Sequence, residues 1–272
     1  MTETYEDEIR AHYREEMLTK KEQSKQDASL DMSYAGWVID VPNIAAMEND
    51  DYAKARRHGF GGSDASILLG VNPYKTIQEL IQEKARDELT AEERAVGEKV
   101  AVKKGRDLEP LIIQKFEQAF GMKTWKPIDM YKCVEFPYLK MNFDGIVGEP
   151  GAYIPAEIKV VTARGERHYN PSKAIYDERI GMRTYPENIS QSNMSIQNKA
   201  AHYGIPPYYY TQLQQEIMAS GAQYGYLSTL YEKDWILRTY FAWRDDNVIK
   251  DIILQGYKHW QAVVELNPER AI

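Results

Sequence analysis

The sequence predicts an α/β (α+β) fold in which helices flank a central mixed β-sheet. Three observations carry this reading. A stretch over 91–120 sets Leu108, Ile112, Phe116 and Phe120 at helical spacing. Four strand-like segments follow it. A helix, two strands and a closing helix then complete an order that suits a layered domain. With 272 residues, 43% hydrophobic and 28% charged, the chain can build one large or two small cores and is too apolar for wholesale disorder.

Residues 1–30 interleave Glu, Asp and Lys with few apolar anchors and read as a charged arm, which suits a solvated helix better than a core element. Residues 32–49 hold Trp37, Val38, Ile39 and Val41 and read as an extension packed on a main body that begins near Asp51. The run SDASILLG reads as a short helix capped by Ser63 and ended by Gly70. A second helix is expected over 76–87, then the long one over 91–120, with Gly105 a point of interruption and Gly121 its stop. Strands are expected over 123–125, 130–136, 140–147 and 153–161. A helix over 208–220, strands over 224–231 and 235–243 and a helix over 245–266 finish the chain. Between 162 and 207 neither period holds, and a segment of this length is a functional loop or an inserted subdomain.

Composition excludes several functions. No stretch approaches the roughly 18 apolar residues of a membrane span, and the start lacks a targeting pattern, so a cytoplasmic protein of a bacterial or phage-infected cell is expected. The single cysteine, Cys133, supports neither an internal disulfide nor a cysteine-held cluster. A net charge of −7 argues against a protein that coats nucleic acid. It leaves room for an enzyme whose carboxylates hold divalent cations.

The informative stretch is MNFDGIVGEPGAYIPAEIKV. A hairpin centred on Pro150 and Gly151 sets Asp144 opposite Glu157, with Cβ atoms about 5 Å apart. Lys159 shares that face, while Ile158 and its partner Phe143 point the other way. Two carboxylates this close repel unless a cation lies between them. Oxygen donors of this kind suit Mg2+ or Mn2+, and a metal beside a lysine is what phosphodiester hydrolysis needs. The same spacing also fits a solvent-facing salt-bridge ladder.

The chain resembles the PD-(D/E)XK nuclease superfamily, and within it the YqaJ-like viral recombinases related to bacteriophage lambda exonuclease. The matching pieces occur in order: Arg56 followed by GFGGSDASILLG, then GRDLEP, MNFDGIV, AEIKV and YYTQLQQEIMA. The resemblance implies a restriction-endonuclease-like core over 51–272, from whose pattern the sequence departs by an insertion at about 162–207 and an arm or extension over 1–50. It implies that Glu109, Asp144, Glu157 and the carbonyl of Ile158 hold the metal and that Lys159 acts on the attacking water. Arg56 and Ser63 would grip a DNA phosphate, and Gln212 and Gln214 would lie beside the metal. Taken without the family, Glu109 is a helix-surface acid, Ser63 a cap, Arg56 a surface cation, and the glutamines are polar helix positions. Tyr209, between Tyr208 and Tyr210, fits either base stacking or packing. The implied activity is a Mg2+-dependent exonuclease that resects double-stranded DNA ends, 5′ to 3′, for recombination. A single-strand annealing protein and a ring-shaped homo-oligomer are the implied partners. An endonuclease with the same site, or a retired nuclease fold that binds protein or DNA, are the alternatives.

Overall fold

The computed structural model describes residues 27–95 and 100–272. Most of the arm expected over 1–30 therefore lies outside the described residues. The strands are β1 (Asp27–Ala28), β2 (Trp37–Val41), β3 (Thr124–Pro127), β4 (Met130–Cys133), β5 (Lys140–Met141), β6 (Ile146–Val147), β7 (Ile154–Val161), β8 (Tyr176–Asp177), β9 (Gly181–Met182), β10 (Tyr224–Tyr231) and β11 (Ile236–Trp243). The α-helices are α1 (Asn49–Ala55), α2 (Ala65–Leu68), α3 (Ile77–Ala85), α4 (Ala91–Arg94), α5 (Val100–Phe120), α6 (Ile196–Tyr203), α7 (Pro207–Ser220) and α8 (Asp246–Leu266).

The main sheet runs β1-β3-β6-β7-β10-β11-β8-β9, with β2-β4-β5 as a small second sheet. The main sheet is mixed, because β7 and β10 run parallel whereas β10 and β11 form an antiparallel hairpin. Strand alternation divides the apolar residues between two cores. Ala156 and Ile158 of β7, Tyr226 and Leu230 of β10, and Leu237 and Phe241 of β11 pack against Leu108, Leu111, Ile112, Ile113 and Phe116 of α5. On the other face Val161, Leu227, Tyr231 and Tyr240 join Tyr210, Leu213 and Ile217 of α7 and Val248, Ile252, Trp260 and Val263 of α8. The sheet thus lies between one long helix and a pair of helices.

Several local expectations are met, and the structure shows why. Thr76 accepts a hydrogen bond from the Glu79 N–H and Glu79 reaches back to the Thr76 N–H, a complete capping box that starts α3. Pro206 and Pro207 start α7 and Gly221, at φ +70°, ends it. The hairpin of β6 and β7 pairs Ile146 with Pro155 and Val147 with Ile154, a register symmetric about Pro150 and Gly151.

Other expectations are corrected. Gly105 does not interrupt α5, which runs unbroken through Gly105 and Pro110. The strand expected over 140–147 divides, with β5 in the small sheet and β6 in the main one. At the junction a Cβ on Gly145 would stand 3.0 Å from Cγ2 of Thr124 and 3.1 Å from the Ala156 carbonyl, so a larger residue would have to push a neighbour aside. With the strand divided, Phe143 joins the α7 and α8 core and does not share the apolar face of Ile158. The segment 162–207 carries β8 and β9, which extend the sheet beyond β11, and α6, which packs on α7. Among the described residues no helix is long and apolar enough to cross a membrane.

Candidate active site

The site lies on the α7 face of β7. Glu157 is only 1% exposed, wedged between the sheet and α7. Its Oε1 accepts a hydrogen bond from Gln212 and pairs with the Lys159 ammonium. Lys159 Nζ also reaches Asp144 Oδ2 at 3.2 Å, and the Ile158 N–H donates to the same oxygen at 3.3 Å. Two carboxylates from the two arms of the hairpin therefore converge on one ammonium group, as the register predicts. Glu157 is buried under α7 while Asp144 and Lys159 stay partly exposed, which removes the solvent-facing ladder as an explanation of Glu157.

Glu109 approaches from α5, its Oε1 2.7 Å from Lys126 Nζ on β3. Burial, and after it the charge of Asp144, raises its carboxyl above the usual range. Glu216 completes the group. It lies one helical turn beyond Gln212, and its Oε1 accepts from Gln212 Nε2 at 3.0 Å. Burial, with the Asp144 charge nearby, pushes the Glu216 carboxyl up to about 7. Burial and the charges of Asp144 and Glu216 push Glu157 well above the carboxylate range. Burial works most strongly against ionised Asp144, yet the Lys159 charge together with hydrogen bonds from Glu157, Lys159 and the Ile158 N–H outweighs it and holds that carboxyl low. For Lys159 burial pulls downward, but Asp144 and Glu157 outweigh it and keep the ammonium charged. The sequence reading passed over Glu216, although its spacing from Gln212 in QLQQE was the available signal.

Arg56 and Ser63 stand together, Arg56 Nη2 donating to Ser63 Oγ at 2.7 Å. Ser63 is not the cap expected of it. The carboxylate of Asp64, accepting from the Gly61 N–H at 2.9 Å, closes that turn, which leaves the Ser63 hydroxyl to Arg56. Behind them Lys84 Nζ pairs with Asp64 at 2.8 Å and donates to the Arg56 carbonyl at 2.9 Å. The turn packs closely at Gly62, where a Cβ would stand 3.2 Å from Cε of Met141 and in ordinary contact, at 3.5 Å, with Cγ of Gln212. Tyr209 lies beneath Lys159, its ring centroid 5.6 Å from Nζ.

Gln214 is placed elsewhere. Its Nε2 donates to the Trp243 carbonyl at 2.9 Å and its Oε1 accepts from the Asp245 N–H at 2.8 Å. Positions two apart on a helix do not share a face, so Gln212 at the carboxylates sends Gln214 to the far side. Gln215 bonds the backbone carbonyls of Phe60 and Lys140, both at 3.1 Å.

Among the described residues no three His, Cys, Asp or Glu side chains stand grouped to hold a metal as they are. The donor chemistry nonetheless fits a divalent cation. Glu109, Asp144, Glu157 and Glu216 repel one another around two lysines, and all are hard oxygen donors.

A mixed sheet flanked by helices, with Asp144 in the bend before β6 and Glu157 and Lys159 on β7, has the restriction-endonuclease-like PD-(D/E)XK fold. The chain belongs to the family of the YqaJ-like viral recombinase domain, whose model matches residues 51–223. The uncharacterized protein YqaJ of Bacillus subtilis (strain 168) is 35% identical over 104 residues, which are 38% of this chain and 31% of that protein. The match thus spans about a third of that relative's length. The crystal structure of LHK-Exo in complex with dAMP resembles this fold with a TM-score of 0.51 at 16% identity, covering 81% of this chain and 93% of its own. A crystal structure of the alkaline exonuclease LHK-Exo from Laribacter hongkongensis gives 0.48 at 16% identity over the same shares.

Proposed function

We propose that this chain is a divalent-metal-dependent deoxyribonuclease that resects double-stranded DNA ends, 5′ to 3′, in recombination. The observation that carries the reading is the convergence of Asp144 and Glu157 on Lys159, with two more carboxylates close behind. The recombinase family, and the solved structure of like fold titled LHK-Exo in complex with dAMP, support the same reading. A ring-shaped homo-oligomer and a single-strand annealing partner belong to it as well.

Asp144, Glu157, the Ile158 carbonyl and Glu109 are the groups that would hold Mg2+ or Mn2+. Such an ion polarises the phosphate and lowers the pKa of water for attack. Lys159, kept charged by its two acids, is a poor general base. It holds the attacking water in place by hydrogen bonding and stabilises negative charge on the phosphate as attack proceeds. Gln212 fixes the Glu157 carboxylate, and Glu216 in turn holds Gln212. Arg56 and the Ser63 hydroxyl clamp a second phosphate, as a planar guanidinium suits.

The test is degradation of linear double-stranded DNA labelled separately at each end, with Mg2+ and with EDTA, by the wild type and Lys159→Ala. Metal-dependent loss of the 5′ label that vanishes in the variant is the expected result. No cleavage of linear, circular or single-stranded DNA by the wild type would overturn the enzyme reading in favour of a binding protein.

A further inference from the structure

Tyr74 is 76% exposed, yet the loop that carries it is held firmly. The Ser66 carbonyl accepts from the N–H groups of Val71 and Asn72 at 2.9 and 3.0 Å. Asn72 Nδ2 donates to Ser66 Oγ at 2.8 Å, while Asn72 Oδ1 accepts from the N–H groups of Tyr74 and Lys75 at 2.8 and 3.0 Å. An exposed ring adds little to core stability, yet this turn holds its backbone in one place.

The ring is the outer end of an aromatic series that leads to the carboxylates. Tyr74 meets Tyr208 edge-on with centroids 5.9 Å apart, Tyr208 meets Tyr209 at 4.6 Å, and Tyr209 lies 5.6 Å from Lys159 Nζ. Tyr169 backs Tyr209 from inside at 6.3 Å. Burial decreases outward along the series: Tyr169 is buried, Tyr208 and Tyr209 are half-buried, and Tyr74 is open.

We infer that Tyr74, backed by Tyr208, is a stacking platform for an unpaired nucleobase of the DNA strand held at the Asp144, Glu157 and Lys159 site; this rests on the nuclease reading. Bases inside a duplex cover one another, so an open ring finds a free base face only at the duplex end or on a base released from its partner. Every base has a π-face, and such stacking is indifferent to sequence. The platform offsets the cost of unstacking the last nucleotides and lets the strand bend toward Lys159.

The probe is a DNA duplex with 2-aminopurine at the last or second-last position of the 5′ end, titrated with protein in EDTA. Wild type and Tyr74→Phe are expected to change its emission, and Tyr74→Ala to lose the change. With Mg2+, Tyr74→Ala is expected to raise KM about tenfold with kcat nearly kept, while Tyr257→Ala, an exposed ring on α8, leaves both unchanged. If Tyr74→Ala matches the wild type in emission and in KM, the platform is overturned while the nuclease reading stands. A wild type that shifts the emission in a Tyr74-dependent way yet cuts no DNA would uphold the platform and overturn the nuclease reading.

Discussion

Helix α7 carries a buried polar cluster on each side, and the two differ in how their charges balance. On one side Asp245 is fully buried and is answered by the chain itself. Its Oδ2 accepts from Lys199 Nζ at 2.7 Å and from the Tyr210 hydroxyl at 2.8 Å, and its Oδ1 accepts from the Val248 N–H at 3.2 Å, capping α8. On the other side Glu109, Asp144, Glu157 and Glu216 share two lysines, and three of the four carboxyls are raised, by burial first. Groups that the fold satisfies hold it together. Groups that it buries unbalanced favour an added positive charge, which the proposed metal would supply.

The contrast predicts opposite consequences of removing charge on the two sides. Glu157→Gln keeps the shape and a partner for Gln212 while relieving repulsion. It is expected to reduce cleavage by on the order of a thousandfold without lowering the melting temperature, read by end-labelled DNA and by calorimetry. Asp245→Ala leaves Lys199 buried without its partner. It is expected to lose about 3–5 kcal/mol in urea unfolding while the folded fraction cuts at the wild-type rate, because breaking a buried pair strands a charge.

A finer version uses the glutamines. Gln214→Ala strips partners from the Trp243 carbonyl and the Asp245 N–H and is expected to cost about 1–3 kcal/mol of stability, with kcat/KM unchanged. Gln212→Ala is expected to do the reverse, lowering kcat/KM by roughly tenfold with little effect on unfolding. Equal effects of the two would erase the distinction between the two sides.

The smallest effect concerns Asp64 and Lys84, another balanced pair. Burial works against ionised Asp64, but Lys84 and Arg56 outweigh it and hold the carboxyl below its usual 3.8. A depressed folded value means that the unfolded chain takes up the proton first as pH falls. The stability from this pair is therefore whole above the unfolded value and is lost as pH falls through the folded one. Asp64→Asn is expected to flatten the acid limb of the melting temperature below about pH 4.

Much of this was legible in the sequence where local chemistry decides. The turn at Pro150 and Gly151 set the register of β6 and β7, and the Thr76 capping box and the prolines before Tyr208 set two helix starts. What escaped depends on tertiary context. Strands β8 and β9 are two residues each and exist because β11 offers an edge, which no period in 162–207 reveals. The division of 140–147 falls beside Gly145, where Thr124 and the Ala156 carbonyl leave little room for a side chain, and depends on contacts far apart in sequence. The roles of Gln214 and Glu216 followed from helical phase once Gln212 was anchored at Glu157, and the anchor itself became visible only in three dimensions.

The most direct test of the stored-charge reading is whether the carboxylate side of α7 binds a divalent cation in the absence of DNA. Melting temperatures of the wild type, Glu157→Gln and Asp245→Ala would be compared with Mn2+ or Mg2+ and with EDTA. The predicted result is a rise with the cation in the wild type and in Asp245→Ala, and none in Glu157→Gln. An unshifted wild type, or an equal rise in Glu157→Gln, would contradict it.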